Sequence, residues 1–229
     1  MNFSEALQQA FLMIFSGDRE LYYIAYNSLS IAIYSVGAAG ITGIPLGGAL
    51  AFYSFPGKRE VVSLFNTLMS LPTVVVGLFV YSFISRSGPL GDLGLLFTPA
   101  GIVIGQSILI FPYVVSLVYG GLSSMEEELK ETLLTLGAGK RAMLLKILSE
   151  GKPAVIIAIL SAFGRAIGEV GIAMMLGGNI RGFTRTITTA MALETAKGAF
   201  SLSLALGIIL LCIAFGVNFS LHRMVSHDK

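Results

Sequence analysis

The chain has 229 residues, of which 55% are hydrophobic and 12% are charged, and its formal net charge is +2. Soluble domains carry about 25% charged residues, so this chain has too little polar surface to face water on all sides. The small net charge argues against a nucleic-acid partner. The single cysteine, Cys212, excludes a disulfide framework and a cysteine-based metal site. The composition therefore indicates an integral membrane protein.

The first 18 residues differ from a secretion signal because they lack a basic start and contain Glu5. Residues 1–18 are instead predicted to be an amphipathic segment that lies in the membrane interface. A helix packed on its own bundle fits the pattern equally well. The apolar residues that recur at helical spacing are Phe3, Ala6, Leu7, Ala10, Phe11, Ile14 and Phe15.

Five charge-poor stretches are long enough to cross a membrane, which takes about 20 apolar residues. Backbone polar groups in lipid must be satisfied within the segment, so these stretches are predicted to be helices. We expect an all-α polytopic bundle with one transmembrane domain over residues 21–222. Its spans are predicted at about 24–52, 61–85, 99–122, 153–177 and 199–221.

Three prolines fall inside the predicted spans and are expected to kink them: Pro45, Pro72 and Pro112. Kinked, glycine-rich helices suit a moving pathway, although static bundles contain them too.

The distribution of basic residues predicts the orientation, because lysine and arginine collect on the cytoplasmic side of membrane proteins. One side would hold nine of them, at positions 58, 59, 130, 140, 141, 146, 152, 223 and 229, and the other side five, at positions 19, 86, 181, 185 and 197. The N-terminus is therefore predicted outside and the C-terminus in the cytoplasm.

The segment 126–152, between the third and fourth spans, holds ten of the 28 charged residues. Ser123 or Ser124, with a glutamate three residues later, is a capping box that predicts a new helix. Leucines at 129, 133 and 136 form an apolar stripe, the glycines at 137 and 139 end the helix, and a second short helix follows from Lys140. This geometry fits a solvated loop and a projection that docks in a groove of another protein equally well.

Residues 131–139, with the sequence ETLLTLGAG, resemble the EAA loop of ABC-importer permeases, typically E-A-A-x-x-L-G-A. Thr132 and Leu133 replace the two alanines. The resemblance implies a coupling helix that sits in a cleft of a cytoplasmic ATP-binding subunit and passes its motions to the spans. The residues expected to couple the ATPase are Leu129, Glu131, Leu133, Leu136, Gly137 and Ala138.

The resemblance covers nearly the whole chain. Residues 162–171 resemble the fourth-span segment of permeases for molybdate, tungstate and sulfate, and residues 177–195 resemble the tungstate-specific permeases most. It implies a homodimer in the plasma membrane, in contact with lipid. It also implies cytoplasmic ATP-binding subunits and an extracytoplasmic oxyanion-binding protein as partners.

Arg165 and Glu169 are four residues apart and are expected on one face of the fourth span. A charge at mid-membrane costs about 2.5–3.5 kcal/mol, so such residues usually face the bundle interior or a water-filled path. They are predicted to form either an ion pair that pins helices together or part of the pathway, with the ion pair favoured.

The predicted outer segment carries Arg181 and Arg185, with a short external helix expected from Thr186 to Ala196. The two arginines are candidates for docking the binding protein, and an ordinary solvated loop is the alternative.

The predicted function is import of an oxyanion, tungstate in preference to molybdate or sulfate, by a permease that is not itself an enzyme. The chain lacks the G-x-x-x-x-G-K-[ST] phosphate loop, so ATP hydrolysis is assigned to a partner, and no catalytic residue, cofactor or metal is expected. A secondary transporter or channel, or a membrane-embedded enzyme, is disfavoured because only the fourth span carries charge and no histidine lies in the spans.

Overall fold

The computed structural model describes the backbone of residues 3–135 and 150–226, and the side chains of 4–124, 150–217 and 219. Within these residues the regular structure is entirely helical, which confirms the predicted all-α bundle. The described α-helices are α1 Phe3–Phe15, α2 Arg19–Phe52, α3 Lys58–Leu68, α4 Thr73–Ile84, α5 Pro99–Thr135, α6 Lys152–Ile167, α7 Gly171–Gly177, α8 Ile187–Ala196 and α9 Phe200–Ser226.

Among the residues that the structure describes, three helices are long and apolar enough to cross a membrane unbroken: α2, the Pro99–Ser124 part of α5, and the Phe200–Val217 part of α9. Two further helix pairs pass the same test only when taken together. The α3–α4 pair is bent by 96° and the α6–α7 pair by 60°. The bundle thus has three to five apolar spans, and the assignment of each bent pair to a single span stays a prediction.

The three prolines behave differently. Pro45 and Pro112 lie inside the continuous helices α2 and α5. Pro72 instead has extended backbone, with φ −60° and ψ 129°, and precedes the first residue of α4. A proline cannot donate a backbone hydrogen bond, so it is tolerated at a helix start. The second predicted span is therefore broken at Pro72, where a kink within one helix was expected.

The core forms where α2, α5 and α6 meet. Alanines and valines dominate it, among them Ala39, Val114 and Ala162. Gly43 and Gly47 on α2 lie directly against Val114, Val115 and Val118 of α5. Small residues four apart let two membrane helices approach closely, which is the main source of packing energy where lipid removes the hydrophobic driving force.

The N-terminal helix α1 packs on α9 through Ala6 and Ala10, which are buried. Its Leu12 and Phe15 remain exposed. Asp18 then caps α2, its side chain accepting a hydrogen bond from the Leu21 amide at 2.9 Å. One side of α1 thus packs on the bundle and the other is free to lie in the membrane interface.

The helix expected to start at Ser123 or Ser124 is not a separate element, because α5 continues without a break to Thr135. The Ser124 hydroxyl donates to the Gly121 carbonyl at 3.0 Å, within the turn that precedes it, so it does not cap a new helix. Leu129, Glu131 and Leu133 therefore lie on the end of α5. The remaining coupling candidates (Leu136, Gly137 and Ala138) and the helix expected after Lys140 lie outside the described residues.

Gly47→Val is expected to lower the free energy of unfolding by about 1–3 kcal/mol, the usual cost of overpacking. A Cβ atom at Gly47 would stand 2.7 Å from the Val115 carbonyl oxygen and 2.9 Å from the Val118 Cβ. Unfolding of the full chain in mixed micelles, followed by circular dichroism, measures the effect. Gly37→Ala is the matched control, because nothing lies within 4 Å of its Cβ position. Equal losses at both positions would contradict the close approach of α2 and α5.

Candidate functional site

The α6–α7 break is the first part of the candidate site. Helix α6 ends at Ile167 and α7 begins at Gly171. Arg165 is in the last turn of α6, whereas Glu169 is in the connection. The expectation that the two share one helix face is therefore wrong, because the helix ends between them.

Glu169 is buried, and both its side chain and its backbone hold the break in place. Its Oε1 accepts a hydrogen bond from the Ile172 amide at 3.2 Å. Its carbonyl oxygen accepts a hydrogen bond from the Thr188 hydroxyl of α8 at 2.7 Å. A negative charge near the first turn of a helix is favourable because the amides there are unpaired. The carboxylate thus satisfies a backbone donor that the break exposes.

Arg165 is half-buried near the same break. Within the part of the chain that the structure describes, no ion pair joins it to Glu169. Whether it contacts the transported molecule stays a prediction.

A series of hydrogen bonds between polar groups crosses the bundle beside the break. It passes through Gln106, which the sequence analysis missed. The Ser35 hydroxyl donates to Gln106 Oε1 at 3.1 Å, and Gln106 Nε2 donates to the Ala166 carbonyl at 3.3 Å. Gln106 is the single carboxamide in the charge-free stretch from Leu93 to Met125, and that isolation is the signal that could have found it. These hydrogen bonds link α2, α5 and the end of α6, so a movement of one of these helices acts on the α6–α7 break.

The segment from Gly177 to Thr189 folds back against α2, which differs from the ordinary solvated loop that the sequence left open as one alternative. Asn27 Nδ2 donates to the Phe183 carbonyl at 3.1 Å and to the Arg185 carbonyl at 2.9 Å. The Ser28 hydroxyl oxygen accepts a hydrogen bond from the Ile187 amide at 2.6 Å. The expected short helix does form, as α8 from Ile187, with Thr186 in a capping box, but its first turn is buried.

An ionic network ties this segment to the start of α2. Arg185 lies 3.4 Å from Glu20 and 3.7 Å from Glu194, and Lys197 lies 3.0 Å from Glu194. Arg181 pairs with Glu20 at the outer edge. The hydrogen bond and the charge of the Glu20 carboxylate raise the pKa of Arg181 above its usual value.

The two arginines of the network differ in exposure. The side chain of Arg181 is 73% exposed, and that of Arg185 is 10% exposed. Arg185 therefore stabilises the fold as a buried cation and offers no docking surface in this chain, contrary to expectation. Of the two arginines, only Arg181 remains a predicted docking residue for the binding protein.

Known proteins resemble the chain over most of its length. The family model for the binding-protein-dependent transport system inner membrane component matches residues 43–226. The chain belongs to this family. It is thus the membrane permease component of a binding-protein-dependent transport system, which confirms the predicted resemblance to ABC-importer permeases. Membership implies ATP-binding subunits and a substrate-binding protein.

Three individual relatives are similar to this chain over most of its length. A tungstate uptake system permease protein of Peptoclostridium acidaminophilum is 37% identical, over 94% of this chain and 94% of the relative. A probable anion ABC transporter permease protein of Haloferax volcanii is 39% identical, over 88% and 90%. A probable sulfate transport system permease protein of Chlorokybus atmophyticus is 30% identical, over 84% and 71%.

A solved structure supports the fold. The inward-facing MetNI methionine ABC transporter superposes with a TM-score of 0.69 at 17% sequence identity, over 89% of this chain and 94% of that one. At that identity the likeness concerns the fold alone.

Glu169→Leu is expected to lower the free energy of unfolding by about 1–2 kcal/mol, as loss of a helix-capping acceptor does. Glu169→Gln keeps an oxygen at the Oε1 position and should lose less than half of that. Denaturant titration of both full-length variants in mixed micelles measures the difference. Equal losses would show that the negative charge, and not the hydrogen bond to Ile172, stabilises the break.

Arg185→Ala is expected to lower the free energy of unfolding by about 1.5–3 kcal/mol, because it removes one of the two cations that pair with the largely buried Glu194. Arg181→Ala is the matched control, and it should cost clearly less, because the Arg181 side chain is exposed and exposed ion pairs contribute little. Unfolding of both variants under identical conditions gives the comparison. A control that costs as much as Arg185→Ala would contradict the separation into a buried and an exposed arginine.

Proposed function

We propose that this chain is the permease subunit of an ATP-driven importer that carries tungstate across the plasma membrane by alternating access. The observation that carries the proposal is the pair of tungstate uptake permeases, from Peptoclostridium acidaminophilum and Campylobacter jejuni, each 37% identical over at least 94% of this chain. The sulfate permeases match at lower identity, such as 30% over 84% of this chain and 31% over 97% of it. Molybdate and sulfate, which share the tetrahedral divalent form, are the alternative cargoes within the same class.

The permease works as a homodimer in contact with lipid. Helix α4 supports this, because it exposes apolar side chains over most of its circumference, among them Val74, Val75, Leu78 and Phe79. A second copy and the surrounding lipid are the partners that suit such a surface in a membrane protein.

The N-terminus lies outside and the C-terminus in the cytoplasm, as the nine-to-five distribution of basic residues favours. The exposed Arg181 then faces the exterior, where an extracytoplasmic binding protein delivers the oxyanion. A guanidinium suits docking to an acidic surface of that protein, because its five donors can pair with carboxylates in two-bond geometry.

Helix α5 supports the coupling step. Its 37 residues correspond to about 55 Å at 1.5 Å per residue, whereas the hydrocarbon core is about 30 Å thick. One continuous helix thus reaches from the bundle core to the segment with Leu129, Glu131 and Leu133. Together with Leu136, Gly137 and Ala138, this segment docks in the ATP-binding subunit and moves α5 as ATP is bound and hydrolysed.

The broken helix pair α6–α7 supports alternating access. A connection of three residues held by side chains, Glu169 and Thr188 among them, can bend without unfolding either helix. Hinges of a few residues between rigid elements are a common means of domain movement. Arg165, at the end of α6, lies where such a movement would expose or hide a positive charge toward the oxyanion.

Vesicle uptake tests the proposal. The chain is reconstituted with its ATP-binding subunits and its binding protein, and uptake of labelled tungstate, molybdate and sulfate is compared. We expect ATP-dependent tungstate uptake at least about tenfold faster than sulfate uptake, which is about 1.4 kcal/mol of discrimination. Equal uptake of sulfate contradicts the tungstate assignment, and uptake without the ATP-binding subunits contradicts the importer assignment.

A coupling variant completes the test. Gly137→Val should leave the ATP-binding subunits bound but abolish uptake, because a β-branched residue disfavours the left-handed turn that the sequence predicts at this glycine. Arg223→Lys, a change near the C-terminus and outside the coupling segment that keeps the charge, should retain most of the uptake. If Gly137→Val carries tungstate at the normal rate, the coupling role of this segment is wrong.

A further inference from the structure

Helix α3 carries a polar stripe along one face. At 100° per residue the stripe covers an arc of about 100°, and it continues one turn past the last helical residue. All its members are exposed in the chain: Arg59, Ser63, Asn66, Thr67 and Ser70. These positions follow the spacing i, i+4, i+7, i+8 and i+11, which keeps them on one side of the helix.

The packing of α3 fixes the direction of the stripe. Phe65 contacts Phe111 of α5 edge to face, with ring centroids 5.9 Å apart. Lys58 donates from its Nζ to the Ala51 carbonyl at 3.2 Å and lies 5.6 Å from the centre of the Tyr119 ring. The apolar side of α3 is therefore held on α5, and the polar stripe points away from the bundle core.

A groove of about 680 Å³ runs along the stripe. Besides the stripe it is lined by Lys58, Val62 and Tyr119, so its described lining contains two cations, several hydroxyls, one carboxamide and no carboxylate. Such a surface attracts anions. The Thr67 and Ser70 hydroxyls donate to the Ser63 and Thr67 carbonyls, at 2.8 and 2.7 Å. The groove groups left to donate to oxyanion oxygens are therefore the Ser63 and Tyr119 hydroxyls, the Asn66 amide and the two cations.

The stripe needs water or a polar partner. It lies at the start of the charge-free stretch from Val61 to Ser85, where polar side chains that face lipid are unfavourable. The carboxamide of Asn66 and the charge of Arg59 are stable there if they face a water-filled path.

We infer that the α3 stripe and Lys58 form an oxyanion-binding surface that lines the cytoplasmic half of the translocation path. The inference rests on the proposed function for its cargo and for its cytoplasmic orientation. The surface takes a divalent tetrahedral oxyanion released at the bend near Pro72 and passes it along the hydroxyls toward Arg59 and Lys58. Several weak donors in a row let an ion enter and also leave, as conduction requires.

The single cysteine makes a direct test practical. In a Cys212→Ser background, Ser63→Cys and Thr67→Cys place a thiol on the stripe, and Ser63→Cys is nearly isosteric. Leu64→Cys is the matched control, because Leu64 is 55% exposed but lies about 100° from Ser63 around the helix. The reconstituted importer is treated with two water-soluble thiosulfonates, one bearing a sulfonate and one bearing a trimethylammonium group.

The stripe cysteines are expected to react at least about tenfold faster than the Leu64 position, which corresponds to about 1.4 kcal/mol. After correction for reactivity with a free thiol, the sulfonate reagent should be preferred severalfold, because Lys58 and Arg59 lie nearby. Arg59→Glu should reverse that preference, and millimolar tungstate should slow modification. Equal reactivity on and off the stripe, or no charge preference, overturns the inference, since a protein or lipid surface would then cover the stripe.

Uptake measured on the same vesicles separates the two proposals. If tungstate is carried but the stripe cysteines are unreactive, the importer assignment stands and the path lies elsewhere. If the sulfonate reagent prefers the stripe but tungstate neither slows modification nor enters the vesicles, the anion path stands and the cargo is another oxyanion. Uptake by the Leu64→Cys variant shows that a cysteine in α3 does not by itself disturb assembly.

Discussion

Backbone amides and carbonyls inside the hydrocarbon need hydrogen-bond partners from the protein, and the architecture of this permease follows from that constraint. Unbroken helices such as α2 and α5 satisfy it internally. At the α6–α7 break and in the segment that follows it, side chains supply partners for backbone groups. Glu169 accepts from the first turn of α7, and Asn27 donates to carbonyls of the returning segment.

These interruptions divide the bundle into parts of different stiffness. The α2–α5 pair, held by glycines against valines, forms a rigid unit because close-packed surfaces have few alternative arrangements. The α6–α7 connection depends on a handful of side-chain hydrogen bonds, which can be exchanged at low cost. A transporter needs both properties, since a rigid element must carry force and a hinge must respond to it.

Electrostatics adds a second division, between the two ends of the bundle. One end carries the network of Glu20, Arg185, Glu194 and Lys197, in which cations and carboxylates neutralise each other. The α3 groove at the other end is lined by cations without carboxylates. Paired charges stabilise a fold but attract a mobile anion weakly, whereas unpaired cations beside water attract it strongly. This difference separates arginines that hold the structure from those suited to a divalent oxyanion.

The sequence by itself determined the membrane class, the helical fold, the charged segment 126–152 and the family, because composition and motifs are local properties. It also predicted the helix that begins at Ile187, whose capping box lies within four residues. Only the tertiary structure decided that helix α6 ends at Ile167, that Gln106 bridges helices and that Arg185 is buried. Each depends on partners distant in the chain: the bond from Asn27 to Arg185 joins positions 158 apart. Periodicity reports the average surroundings of neighbouring residues, so it cannot reveal a contact that forms only when distant helices pack.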